Sequence, residues 1–247
     1  MSQPPALGTG TTLAFNSPLS NERANRLAGE LAARRPATVV DLGCGWGEFL
    51  LRVLAAAPDA SGTGVDTHAA DLARAREAAG ARHLGDRVTF VDGPATGYGH
   101  RADALVSIGA YQAFGTIPEA LTALRERLQP GGRLVFGAEY WQRPPTEDEL
   151  AHMWEGITAD DCTDLPGLVG MTTAAGFRPL RIETATRDEW EEFESAYAAE
   201  LEVWLLDHPD HADADEVRAK VDKHRDIWLR GHRDVMGFAY LTLGVPA

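Results

Sequence analysis

Val39-Val40-Asp41-Leu42-Gly43-Cys44-Gly45-Trp46-Gly47-Glu48 decides the fold of this 247-residue chain. A β-branched run ends in an acid, three glycines alternate with other residues, and an apolar segment follows. That order reads as a buried strand, a tight loop and the start of a helix. Glycine is needed where the backbone takes φ > 0 or comes close to a ligand. A loop at the carboxyl end of a strand is also where open α/β sheets bind ligands.

The same rhythm continues downstream. The first strand covers about 37–42, and the helix Trp46–Ala57 is stopped by Pro58. Gly62-Thr63-Gly64-Val65-Asp66 reads as a second strand ending in an acid, followed by an Ala/Arg helix from about Ala69 to His83. Val88-Thr89-Phe90-Val91-Asp92 is a third strand, again ending in an acid, and Ala102–Ile108 a fourth. Pro118–Leu128 is a helix with Leu121, Leu124 and Leu128 on one face; Gln129-Pro130-Gly131-Gly132 is a turn and Arg133–Gly137 a fifth strand. Strands alternating with helices at this spacing predict a parallel sheet with right-handed crossovers.

Upstream, residues 1–12 read as loose chain, and Ser20 is a good N-cap for a helix to about Arg34, which Pro36 ends. Beyond Trp141 the regularity breaks. Residues 142–165 read as a loop with a short helix near 147–154, Pro166–Ala175 as a helix and Phe177–Glu183 as a strand. Residues 187–231 predict two helices joined by His208-Pro209-Asp210, and Met236–Leu243 a final strand.

Composition narrows the function classes. Hydrophobic content of 44% and charged content of 24% are ordinary for a globular chain. A formal net charge of −14, from 37 acids against 23 Lys and Arg, repels a phosphate backbone on average, and no Lys/Arg run offsets it. A small or neutral substrate is expected, not nucleic acid. The two cysteines, Cys44 and Cys162, have neither CxxC spacing nor a disulfide framework. The eight histidines are scattered without metal-ligand spacing, so no metal is expected, and His208-Pro209-Asp210-His211 reads as a turn. No segment of roughly 18 apolar residues exists to span a membrane. Without the basic and apolar regions of a signal peptide at the N-terminus, the cytoplasm is the expected compartment.

The glycine loop Asp41–Gly47, Asp66 at the end of the second strand, Asp92-Gly93 after the third, and Leu128-Gln129-Pro130-Gly131-Gly132-Arg133-Leu134 before the fifth together resemble the motifs of class I S-adenosylmethionine (SAM) methyltransferases. The resemblance is strongest over residues 36–140 and covers the remainder by element order. With Asn16–Ser20, Ser107–Ala110 and the Trp-rich end, the chain looks like a bacterial subfamily of small-molecule methyltransferases. It implies a Rossmann-like seven-stranded mixed sheet with an antiparallel last strand, flanked by helices, with N-terminal and C-terminal helical cover over the carboxyl edge. It also implies methyl transfer from SAM to a small organic acceptor.

The implied cofactor residues are Asp41, Gly43, Cys44, Gly45, Gly47, Asp66, Thr67, Asp92, Gly93, Ser107 and Ile108. A ribose presents two hydroxyls, and a carboxylate accepts both hydrogen bonds well, which suits Asp66 about 20 residues after the loop. Asp92 is placed to accept from the adenine amino group. The three glycines let the chain pass the methionine part, Cys44 fits as a small side chain, and Asp41 orders the loop. A nicotinamide dehydrogenase is the rival enzyme, but its fingerprint is GxGxxG whereas this spacing is GxGxG. Asp41 and Glu48 would also disfavour a pyrophosphate at that loop. A non-catalytic SAM-binding scaffold is the other alternative.

Methyl transfer from a sulfonium asks the protein mainly for positioning and water exclusion, with a general base where the nucleophile is acidic. Tyr111 and Gln112, after the fourth strand, are the acceptor-side candidates, and Glu139, after the fifth, is a candidate base. The Asn/Asp-Pro-Pro-Tyr/Phe pattern of nucleic-acid base methylation does not occur here. Tyr140 and Trp141 are expected to wall the cleft. Trp190, Phe193, Tyr197, Leu201 and Trp204 recur at helical spacing, mainly as core. Asp188, Glu189, Glu191, Glu192, Glu194, Glu200 and Glu202 read as a solvated face, and His152 and His232 as surface residues. The expected division is an N-terminal lid segment 1–35, a SAM-binding core 36–186, a helical cover insertion 187–234 and a last core strand 235–247.

Overall fold

A computed structural model describes residues 3–8 and 11–247. Of the stretch 1–12 read as loose, Met1, Ser2, Thr9 and Gly10 lie outside the described residues. The elements run α1 (Asn21–Ala32), β1 (Thr38–Leu42), α2 (Glu48–Ala56), β2 (Ser61–Asp66), α3 (Ala69–Ala81), β3 (Val88–Asp92), β4 (Ala102–Ile108), α4 (Ile117–Glu126), β5 (Leu128–Trp141), α5 (Glu147–His152), α6 (Leu165–Ala174), β6 (Arg178–Thr184), α7 (Arg187–Asp207), α8 (Ala214–Asp226) and β7 (Met236–Gly244). The sheet order is β3-β2-β1-β4-β5-β7-β6. β1 pairs parallel with β2 and β4, β2 with β3, and β4 with β5. β6 pairs antiparallel with β7. Gly131 donates to Pro246 O and Gln142 to Val235 O, so β7 also runs against β5. This is the seven-stranded mixed, Rossmann-like sheet that the resemblance implied.

β1 sits at the centre because Val39, Val40 and Leu42 are buried, each 2% exposed or less. Ser20 caps α1 as expected, its Oγ accepting from Arg23 N at 3.2 Å. The chain divides into two compact units. One comprises residues 1–19, 140–165 and 185–237; the other comprises 20–139, 166–184 and 238–247 and holds β1 to β4. The division falls inside β5, after Glu139, and inside β7, after Gly237.

Two expectations fail on β5. The turn at 129–132 belongs to the strand, because Val245 N donates to Gly132 O and the end of β7 pairs there. At the other end, Glu139, Tyr140 and Trp141 do not leave the strand but complete it. In the first unit, three described residues of the segment read as loose are tied down. Gly8 N donates to Tyr197 O at 3.1 Å, Thr12 Oγ1 to Ala196 O at 3.0 Å, and Leu7 packs on the Leu201–Trp204–Val217–Val221 cluster. The two predicted helices over 187–231 are α7 and α8, extended by a π-helical turn at Ile227–His232.

α7 starts with a capping box in which Thr186 Oγ1 accepts from Glu189 N and the Glu189 carboxylate accepts from Thr186 N. Glu189 and Glu194 are therefore not on a solvated face: they are 8% and 5% exposed. His232, expected at the surface, is 3% exposed.

Candidate active site

The glycine loop is built as its spacing demands. Gly43, Gly45 and Gly47 all have positive φ, at 83°, 51° and 71°. A methyl group on Gly43 would lie 2.2 Å from Ala110 Cβ, and one on Gly47 would lie 2.7 Å from the Phe90 ring. Around Gly45 no atom would stand within 4 Å of such a group, so its demand is conformational and the backbone face there is open. Gly43 N and Cys44 N both donate to Val65 O, which ties the loop to β2.

Asp66 ends β2 and holds the loop from the side. Its Oδ2 accepts from Gly45 N at 2.7 Å and its Oδ1 from His68 N at 2.9 Å. Each oxygen keeps a second lone pair for a ligand hydroxyl. Asp92 stands opposite Asp66 in the β2–β3 register and is exposed; Gly93 N donates to Asp66 O at 2.9 Å. Thr67 is exposed beside them.

Asp41 is 3% exposed, and burial first, then the Asp66 charge, pushes its carboxyl up to about 8. It is a neutral acid at pH 7 and not a freely available carboxylate. Cys44 is inert: burial, with Asp41 and Asp66 adding, pushes its thiol far up. Its Sγ would lie 2.8 Å from a methyl group on Gly64, so the side chain turns onto β2.

The β4 end crosses this loop, as the Ala110–Gly43 approach shows. Ser107 is fully buried and its Oγ has no hydrogen-bond partner. Ile108 and Tyr111 are half-buried and Gln112 is exposed, with Tyr111–Phe114 forming one 3₁₀ turn. On β5, Glu139 Oε2 is buried without a partner, and burial raises its carboxyl above the ordinary range. Glu139 therefore lies within the strand, not after it as the sequence reading placed it.

Asp41, the glycines, Asp66, Asp92, Ser107 and Glu139 end five adjacent strands, β3-β2-β1-β4-β5, along one edge of the sheet. Tyr140 and Trp141 take other roles. Tyr140 packs over Gly237, and Trp141 packs with Met153, Val235 and Met236 while its Nε1 donates to Ala159 O.

Glu48, beside the loop, is a structural tie: it meets Arg52 Nε at 2.8 Å and Arg82 Nη2 at 2.5 Å. Sequence reading missed Phe90, whose ring lies under Gly47 and Gly64. Its only signal was an aromatic in the third strand standing opposite Gly64 in the β2–β3 register.

An acid-terminated series of parallel strands around a GxGxG loop places these groups at the carboxyl edge, where open α/β sheets bind ligands. Residues 40–134 match the family model of a methyltransferase domain. A SAM-dependent methyltransferase from Geobacter sulfurreducens, solved in complex with S-adenosyl-L-homocysteine, superimposes with a TM-score of 0.83 at 28% identity over 94% of each chain. YjhP of Escherichia coli is 28% identical over 93% of each chain, and its crystal structure matches with a TM-score of 0.85. Trans-aconitate 2-methyltransferase of Deinococcus radiodurans is 36% identical over 61% of this chain and 55% of its own. Residues 40–134 thus match a methyltransferase domain, and the chain as a whole shares its fold with SAM-dependent methyltransferases.

Proposed function

We propose that the protein transfers the methyl group of SAM to a small organic acceptor, with the strand ends of β1 to β5 as its cofactor cleft. The observation that carries this reading is the open backbone at Gly45, braced by a carboxylate, Asp66, whose oxygens retain lone pairs. Asp66 would accept from the ribose hydroxyls and Asp92 from the adenine amino group. The glycine backbone, with Ser107 and Ile108, would line the methionine part. The bound cofactor supplies a methyl group activated by its sulfonium.

Positioning of the acceptor falls to Tyr111 and Gln112 on the 3₁₀ turn. Glu139 would take the acceptor's proton: its Oε2 is buried and unpartnered, and burial raises its carboxyl and so makes the carboxylate a stronger base. The acceptor is read as small because a net charge of −14 works against nucleic acid, and because relatives include the trans-aconitate enzyme. The insertion 187–234 is the expected specificity element. No described helix is long and apolar enough to cross a membrane.

The test is transfer of a labelled methyl group from SAM into fractionated cell extract, with S-adenosylhomocysteine titrated calorimetrically as the binding control. Label in the small-molecule fraction is expected, reduced at least about tenfold in Glu139→Gln with unchanged cofactor affinity. Label in nucleic acid or protein would overturn the acceptor class. Cofactor binding with no transfer to any fraction would favour the non-catalytic alternative.

A further inference from the structure

At the edge of the sheet opposite the glycine loop, where β1, β4 and β5 begin, lies a cleft of about 250 Å³, open to solvent. It sits wholly within the unit that holds β1 to β4, lined by residues 34–37, 103–104 and 130–133 together with Leu31. That space is small for a drug-sized organic molecule. Three lining side chains are cations, Arg34, Arg35 and Arg133, and one is an acid, Asp103. Such an excess of positive charge runs against a chain of net charge −14.

Nearby acids are committed elsewhere. Asp103 Oδ2 accepts from Ala37 N at 2.9 Å, Thr38 N at 2.9 Å and Thr38 Oγ1 at 3.0 Å, which fixes the start of β1. Glu30, one turn before Arg34, is held by Arg181 at 2.9 Å and Arg26 at 3.7 Å. Among the described residues, none of the three guanidiniums forms an ion pair.

Two of the arginines are set in place by the backbone. Arg133 Nη1 donates to Gly131 O at 2.7 Å and Gly132 O at 3.0 Å, while its Nε and Nη2 have no partner among the described residues and reach accessible surface. Arg35 has a φ of 50°, in the turn that ends α1, a conformation that usually falls to glycine or asparagine. The end of that helix does not need the Arg34 and Arg35 side chains: Ala33 N, Arg34 N and Arg35 N already donate to Gly29 O, Leu31 O and Ala32 O.

We propose that this cleft binds a phosphate-bearing small molecule through Arg34, Arg35 and Arg133. A phosphate group carries about −1.5 to −2 charge near neutral pH and three acceptor oxygens, which match the two positive charges that Asp103 leaves over. Guanidinium forks suit those oxygens, whereas a carboxylate brings one charge and two oxygens. The inference goes beyond the methyl-transfer reading and does not depend on it.

The test is calorimetric titration of the full chain at constant ionic strength with inorganic phosphate, pyrophosphate and, as a dicarboxylate control, malonate. Saturable binding of phosphate or pyrophosphate is expected, at least about tenfold tighter than malonate. Arg34→Gln, Arg35→Gly and Arg133→Gln should each weaken it about fivefold or more. Arg35→Gly also suits the positive φ, so its urea midpoint should stay close to the parent's while its anion affinity falls; this separates loss of the site from loss of the fold. No saturable binding of either phosphate, equal affinity for malonate, or all three variants binding like the parent would overturn the proposal. Competition between pyrophosphate and S-adenosylhomocysteine would also overturn it, by moving the anion to the glycine loop.

Discussion

Asp41→Asn tests the electrostatics beneath the glycine loop. In the fold, burial and the neighbouring Asp66 charge raise the Asp41 carboxyl from 3.8 to about 8. The sign follows from proton counting: between those values the native chain holds a proton that the unfolded chain has released. Stability from this group is fully present below about pH 4 and is lost as pH rises toward 8. Each pH unit in that window costs about 1.4 kcal/mol, so at pH 7, roughly three units above the ordinary value, the penalty is about 4 kcal/mol. Asparagine has nearly the same shape and no proton to take up. It brings instead an amide N–H whose burial unpaired costs about 1–3 kcal/mol. The variant should therefore be less stable than the parent near pH 4 and more stable, by about 1–3 kcal/mol, at pH 7. Urea unfolding midpoints across that range read the difference directly. A stability difference that stays flat with pH would refute the reasoning, since it would mean that Asp41 is already ionised in the fold.

Asp66→Ala removes the acceptor for Gly45 N and His68 N and the expected ribose ligand, and should weaken S-adenosylhomocysteine binding by about 1.5–3 kcal/mol; unchanged affinity in calorimetry would remove the ribose assignment. Gly43→Ala combines a positive φ with the close approach of Ala110 and should cost about 2–5 kcal/mol, whereas Gly45→Ala, with open space, should cost about 1–2 kcal/mol; equal losses in urea unfolding would contradict the close crossing of the two loops. Burial holds His232 below the ordinary histidine value, with Glu194 opposing and His224 adding. The unfolded chain then binds a proton that the native His232 refuses, so stability is present above about pH 6.5 and falls below it. His232→Gln should flatten that acid limb, and an unaltered slope would show that other groups set it.

The glycine loop and the strands around it were legible in sequence because their constraints are local. Positive φ at Gly43, Gly45 and Gly47 is a property of three residues, and the acids at 41, 66 and 92 mark strand ends by their position after β-branched runs. The β5 boundaries were not legible, since the partner that extends this strand at both ends is β7, about a hundred residues away. Glu139 thus moved from a position after the strand to a half-buried strand position with its Oε2 buried.

The acids of α7 mark the same divide. Periodicity placed them on one polar helix, but only α8 and the π-helical turn decide which of them are covered. Glu194 faces His224 Nε2 at 3.1 Å and His232 Nε2 at 3.2 Å, residues thirty or more positions along the chain. The sequence by itself determined the parallel strand–helix order, the glycine loop and the ends of the first three strands, because backbone geometry and short-range patterning suffice for these. Only tertiary structure decided the raised carboxyl of Asp41, the burial of Glu139 Oε2 and the burial of Glu194 and His232. Desolvation and pairing depend on which distant segments pack against a group.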